Sequence, residues 1–249
     1  MRKEAIAGWL LASKPRTNHA RVVEQLGLAI VAGEFAVGDV LPGDPELQQR
    51  FEVSRSVLRE AMKTLAAKGL VVAKSRIGTR VTDQCYWNLL DEDVLRWHFS
   101  SGVSAVFIDQ LYDIRLLLEP AAAAYAAQRA TAEDCAELRS LAAKLGSPEF
   151  DWQSQVEADL CFHLLLLLVG GNPFMESMVG FIRAALEGAF TLALKPPVPN
   201  RDAEMRDTHM AIVEAVERGD VDAARAAMEN VVQLGRRSAI YAVERVHTS

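Results

Sequence analysis

The stretch EVSRSVLREAMKTLAAKGLV, residues 52–71, decides the fold. Ser54 reads as a helix N-cap, because its side-chain oxygen can accept from an orphan amide of the first turn. Val57, Leu58, Ala61, Met62 and Leu65 then recur at helical spacing as one apolar stripe, and Gly69 supplies a residue at ease in the left-handed C-cap. On another face Arg55 and Arg59 lie one turn apart near the N-terminal end. That is the make of the second helix of a helix-turn-helix, whose N-terminal end enters a DNA major groove. Arginine suits the place because its planar fork bonds guanine O6 and N7 together. A charged helix alone is as readily a solvated surface, so the neighbouring residues must carry the reading.

Upstream, Val22, Val23, Leu26, Ile30 and Val31 mark a first helix ending near Gly33. In LPGDPELQQRF, Asp44 is a candidate N-cap and Pro45 sits at the first helical position, where its missing N–H costs nothing. Downstream, LVVAKSRIGTRVT alternates like a small hairpin, with Lys74, Ser75 and Arg76 at its tip and Gly78 permitting close backbone approach. That hairpin is a wing. The expected N-terminal domain is therefore a winged helix-turn-helix over residues 18–84, preceded by an extension over 1–17.

Charge agrees with this division. The net charge of −6 argues by itself against a nucleic-acid partner, yet residues 50–80 hold eight Lys and Arg against two Glu, leaving −12 elsewhere. One basic block sits on an acidic body, the asymmetry of a DNA-reading module joined to a sensing or assembly domain. Half the residues are hydrophobic and only 7% aromatic, with abundant Ala and Leu, which suits packed helices. The three cysteines, Cys85, Cys135 and Cys161, are scattered without a C-x-x-C pair and point to a reducing cytoplasm. RKEAIAGWLLASK near the start lacks a convincing signal-cleavage site, and the Leu-rich run is broken by Asp159 and His163 before Gly170-Gly171, so neither export nor a membrane span is expected.

Residues 85–103 read as a linker with a short helix in which Trp87 and Trp97 pack one domain on the other. Residues 104–245 read as an all-α bundle. A long helix is expected over 104–130, a capping box at Thr131 and Asp134, helix starts at Ser147-Pro148 and Asn172-Pro173, and a last cap at Asp220. In ADLCFHLLLLLVGGNP, residues 158–173, Asp159 and His163 share one face of an otherwise apolar helix and can converge on a small target such as a metal ion. Alone, the pair reads more simply as an edge carboxylate beside a hydrogen-bonded core histidine. His209, before the stripe Ile212, Val213 and Val216, offers a third partner.

The run LPGDPELQQRFEVSRSVLREAMKTLAAKGLV with RIGTRV resembles the winged helix of GntR-type bacterial repressors across nearly all of residues 20–82. The resemblance implies that Arg55 and Arg59 contact bases or phosphates, with Ser56 and Arg76 in the same interface. It further implies that Ser54 and Thr64 support the helix or backbone contacts and that Gly78 with Thr79 lets the wing reach the minor groove. Pro45 stands where many relatives have arginine. DIRLLLEPAAAAYAA, DLCFHLLLLLVGGN and HMAIVEAVERGDVDAARAAMENV extend the resemblance to the FadR-like subgroup with its FCD effector domain, over residues 105–235. Members often bind Zn²⁺ or a similar divalent ion through one Asp and three His; Asp159, His163 and His209 fall on three of those positions and Val231 on the fourth. Three ligands leave coordination open to a ligand oxygen.

Beside such an ion, Arg115, with Arg236 or Arg237, is the expected clamp for a small carboxylic acid. The WNLLDEDVLRW segment is similar to that of galactonate-type regulators, which implies a sugar acid such as galactonate as effector. The expectation is a mostly α, homodimeric repressor of double-stranded operator DNA, with no membrane partner. The alternatives are a metal-dependent enzyme acting on a small organic acid and a DNA-binding scaffold with no effector.

Overall fold

A computed structural model describes residues 17–193 and 201–246 of the chain, in two compact units that meet in sequence at Gly102 and Val103. Of the expected N-terminal extension, residues 1–16 lie outside the described residues. Among the described residues no helix is long and apolar enough to cross a membrane.

The first unit opens with α1 (Asn18–Val31), capped by the Thr17 side chain, which accepts from Ala20 N. Then come α2 (Asp44–Phe51), with Gly43 as its cap residue and Pro45 in its first turn, and α3 (Arg55–Ala67), where Ser54 Oγ accepts from Val57 N. Leu58, Ala61 and Leu65 on α3 bury against Val22, Leu26 and Ile30 of α1, which is the stripe the sequence displays. Gly69 follows α3 at φ +83°, and a Cβ there would fall 1.9 Å from the carbonyl oxygen of Tyr86, so two constraints demand glycine. The wing is the antiparallel pair β1 (Val71–Lys74) and β2 (Gly78–Val81), registered Val71 to Val81 and Lys74 to Gly78. Val40 bridges to Arg80 on the other side of β2.

The expected linker is not one. A 3-10 turn at Gln84–Tyr86 and helix α4 (Glu92–Ser101) fold back into the first unit. Trp87, Val94 and Trp97 belong to the same core as Val22 and Leu26, so the two tryptophans, expected to join the domains, pack inside this unit. Trp97 lies against Gly27 of α1, and the Trp87 indole donates to Thr82 Oγ1 at 3.2 Å. At the rim Lys68 reaches Asp91 and Asp93 at 2.7 and 2.8 Å, and Arg96 reaches Glu24 at 2.8 Å.

The second unit is all helix: α5 (Ala105–Arg129), α6 (Ala132–Lys144), α7 (Trp152–Val169), the single turn α8 (Pro173–Glu176), α9 (Val179–Ala193), α10 (Arg201–Glu217) and α11 (Val221–Val246). The capping box at Thr131 and Asp134 is formed, Asn172 caps α8, and Asp220 Oδ1 accepts from Ala223 N at the start of α11. The expected helix start at Ser147-Pro148 is corrected to Asp151, which caps α7. Buried Gln155 holds 146–150 as a loop by accepting from Gly146 N and donating to the Ser147 and Phe150 carbonyls. From Phe162 to Val169 every residue of α7 is buried, so this helix is the centre of the bundle, as a run apolar but for His163 requires. It packs on α5, α6 and α9, while α11 runs along α5 and α10.

Candidate functional site

Asp159 and His163 are on α7 and His209 is on α10, and all three are nearly inaccessible. One ligand atom from each lies within 4.8 Å of the others, the group of His, Asp and Glu side chains that can hold a metal ion among the described residues. His209 Nδ1 sits 2.6 Å from the Met205 carbonyl, which can only accept, so Nδ1 carries a proton and Nε2 is the nitrogen turned to Asp159. That Nε2 has no aligned hydrogen-bond partner, yet it is 3.0 Å from Asp159 Oδ1. His163 presents its Nε2 to Asp159 Oδ2 at 3.7 Å. Two imidazole nitrogens thus converge on one carboxylate, each toward a different oxygen, and N and O donors of this kind are those that Zn²⁺ takes. The donor set therefore fits a divalent ion of Zn²⁺ type.

Behind His163 is a residue that the sequence reading passes over. Glu119 of α5 approaches His163 Nδ1 at 2.5 Å and Arg115 Nε at 2.6 Å. The imidazole meets the carboxylate obliquely, but at that separation only a shared proton makes the contact attractive, so Nδ1 is the protonated nitrogen here too. A ligating imidazole that donates its other N–H to a carboxylate or a backbone carbonyl is the usual support of a metal site, and both histidines have it. The signal was present in DIRLLLEP: Glu119 is four residues after Arg115 and shares its face.

The charges interlock. Burial alone would raise the Glu119 carboxyl, but Arg115 and His163 outweigh it and hold it down at about 2. Asp159 is likewise lowered, burial being overcome by His163, His209 and Arg115. Burial disfavours a charged His163, but Glu119 and Asp159 reverse that and raise its pKa, so a metal ion at Nε2 competes with a proton.

A cavity of about 130 Å³ opens on this cluster, lined by Tyr112 and Arg115 of α5, Phe190 of α9, Glu204 and Thr208 of α10, and Val231, Gly235 and Ser238 of α11. The Tyr112 ring stacks under the Arg115 guanidinium, 4.6 Å away. Gly235 leaves room for the phenol, since a Cβ there would press within 3.2 Å of its oxygen. Val231 does face the cavity, and it offers no ligand atom. Arg115 lines the space as expected. Arg236 and Arg237 do not: Arg236 pairs with Asp109 and Asp113 on the outer side of α5, and Arg237 is exposed.

On the first unit Arg55, Ser56 and Arg59 are exposed together along α3, and Ser54 Oγ shares a hydrogen bond with Ser56 Oγ at 2.9 Å. Thr64 turns inward: its hydroxyl donates to the Glu60 carbonyl and accepts from His19 Nε2 at 3.0 Å, so it braces α3 on α1. Arg76 occupies the wing tip with φ +63°, exposed, next to Gly78 at φ +114° and the half-buried Thr79. Pro45 is exposed at the start of α2.

Comparison with known proteins agrees with both halves. Residues 18–81 match the model of bacterial regulatory proteins of the gntR family, and residues 110–234 match the FCD domain. The chain is 36% identical to the uncharacterized HTH-type transcriptional regulator YieP of Escherichia coli K12, over 82% of this chain and 87% of that one. It is 32% identical to the galactonate operon transcriptional repressor of the same organism, over 87% of this chain and 95% of that one. Among solved structures, the Listeria monocytogenes regulator Lar has the same fold, with a TM-score of 0.63 at 23% identity, over 92% of this chain and 99% of that one. The matched families and these relatives are regulators, which sets aside the enzyme alternative. A winged helix with arginines presented on the second helix of its helix-turn-helix, followed by a helical domain of the FCD type, makes this chain a transcriptional regulator of the GntR family, in its FadR-like subgroup.

Proposed function

We propose that the protein is a repressor that binds operator DNA as a homodimer and is released by a small sugar acid held on a divalent metal, Zn²⁺ or similar, in the second unit. The observation that carries this reading is the charge of the cavity. Arg115 and the two imidazoles line it, but Arg115 is already engaged by Glu119, while Asp159 is acidic in the interior and Glu204 at the exposed edge. A carboxylate entering beside Asp159 meets like charge that a divalent ion on Asp159, His163 and His209 would offset, so the metal and the acid stand together. The metal would supply a Lewis-acidic centre with an open position, Arg115 the direction of the carboxylate, and Tyr112, Thr208 and Ser238 hydroxyls for a polyol chain. The galactonate operon repressor, 32% identical, favours an aldonate within the sugar acids.

At the operator, Arg55, Ser56 and Arg59 would enter the major groove and Arg76, Gly78 and Thr79 the neighbouring minor groove, with Ser54 and Thr64 as supports. Two copies would take half-sites about 34 Å apart. The acid acts only by binding the DNA-incompetent geometry more tightly. A fluorescence titration of operator DNA with galactonate and related aldonates, with and without chelator, tests the reading. Release of DNA by an aldonate in metal-loaded protein, abolished by chelator, is expected, with a dimer by light scattering. Unchanged operator affinity under every combination refutes the sensor half while leaving the DNA-binding half standing.

A further inference from the structure

We propose that Glu119 is a positioning residue that ties the metal to the acid clamp, one buried carboxylate fixing both the ligating edge of His163 and the free edge of Arg115. The inference rests on the metal-and-acid reading above. Glu119 does not line the cavity and cannot touch a ligand there, so it acts through others. Its side chain is 2% exposed. Oε1 takes Arg115 Nε at 2.6 Å, while Oε2 is only 3.3 Å from Arg115 Nη2 but 2.5 Å from His163 Nδ1. A carboxylate serving only the arginine would close both fork bonds evenly. This one is drawn toward the imidazole.

Two consequences follow. Engaging the Nδ1 edge of His163 turns its Nε2 edge toward Asp159, the orientation a metal requires. Occupying the Nε edge of Arg115, with the longer bond from Nη2, fixes the guanidinium plane and turns its opposite edge to an incoming carboxylate.

The test uses the full-length protein with Co²⁺ as probe. Glu119→Gln keeps the shape but offers a single acceptor oxygen, which cannot serve both partners. Because Arg115 would then be a buried cation with a weakened partner, the pair Arg115→Met with Glu119→Gln is made beside it, removing both charges at once. Co²⁺ affinity is measured by competition with a chromophoric chelator, the ligand field by the visible d–d spectrum, and folding by thermal unfolding. Both variants should bind Co²⁺ roughly 10–100-fold more weakly with an altered spectrum, and the double variant should recover stability without recovering affinity. Wild-type affinity and spectrum in the double variant overturn the inference, and mean that Glu119 serves only to neutralise Arg115. Wild-type protein that binds no Co²⁺ overturns the metal reading and the inference with it.

Discussion

His209 Nε2 lies 3.0 Å from Asp159 Oδ1 with no hydrogen bond aligned between them, while Nδ1 on the far side of the ring is held by the Met205 carbonyl at 2.6 Å. A buried carboxylate beside an imidazole nitrogen that no hydrogen bond aligns to is a pair that a cation held by both would satisfy. Replacing His209 by Ala should therefore weaken Zn²⁺ or Co²⁺ binding by more than about 100-fold, beyond the range typical of losing a supporting residue. Competition against a chromophoric chelator measures it. Equal affinity in variant and wild type would place the ion elsewhere.

Val231 predicts a gain. It lines the same cavity as the three ligands and brings only methyl groups to it. Val231→His should complete a four-ligand set and tighten metal binding on the order of tenfold or more, about 1.4 kcal/mol. The same change fills the open position. Aldonate should then release operator DNA less well, although more metal is bound, and an improved response would contradict the open-site reading.

The helix-turn-helix and wing were legible because each rests on local chemistry: the Ser54 cap, the Leu58, Ala61 and Leu65 stripe, and the glycines at 69 and 78. Asp159, His163 and His209 were legible by spacing and resemblance. What the sequence hid was tertiary. Nothing in WNLLDEDVLRW distinguishes a helix that bridges domains from one that completes a core; the decision lies in Gly27, whose missing side chain makes the slot for Trp97. Arg115 and Arg236 looked alike as clamps, and only the packing shows which one the cavity contains.

That slot is testable. A Cβ on Gly27 would fall 2.3 Å from the Trp97 ring, in a core where both residues are fully enclosed. Gly27→Ala favours the isolated helix by somewhat under 1 kcal/mol, but overpacking costs about 1–3 kcal/mol and should win. Hydrogen exchange should show lost protection in α4 first, as Trp97 is expelled. A stabilised variant would mean the indole has another place to go.

Arg236 gives a negative prediction. Its ion pairs with Asp109 and Asp113 are on the surface, the acids being 47% and 59% exposed. Arg236→Ala should change stability by less than about 1 kcal/mol and leave aldonate affinity where it was. Calorimetric titration decides. A marked loss of affinity would require the α11 arginine to reach inside.

The rim of the first unit predicts how its stability responds to pH. Lys68 joins the end of α3 to Asp91 and Asp93 beside α4. Burial opposes its charge, yet the hydrogen bonds to the two carboxylates outweigh that and raise its pKa above 10.5. For Asp93 burial is again the largest influence and again loses, to Lys68 and Arg96, leaving its pKa below 3.8. A raised lysine adds stability that is complete below 10.5 and vanishes as pH climbs through the folded value; a lowered carboxyl adds stability that is complete above 3.8 and vanishes as pH falls through its own. The docking of α4 should therefore be flat in between and fail at both extremes. Lys68→Met should lower the neutral plateau by on the order of 1–3 kcal/mol and remove the alkaline loss. The measurement is α4 hydrogen-exchange protection, corrected for intrinsic rates, against pH. An alkaline loss that survives in the variant would assign it to another group.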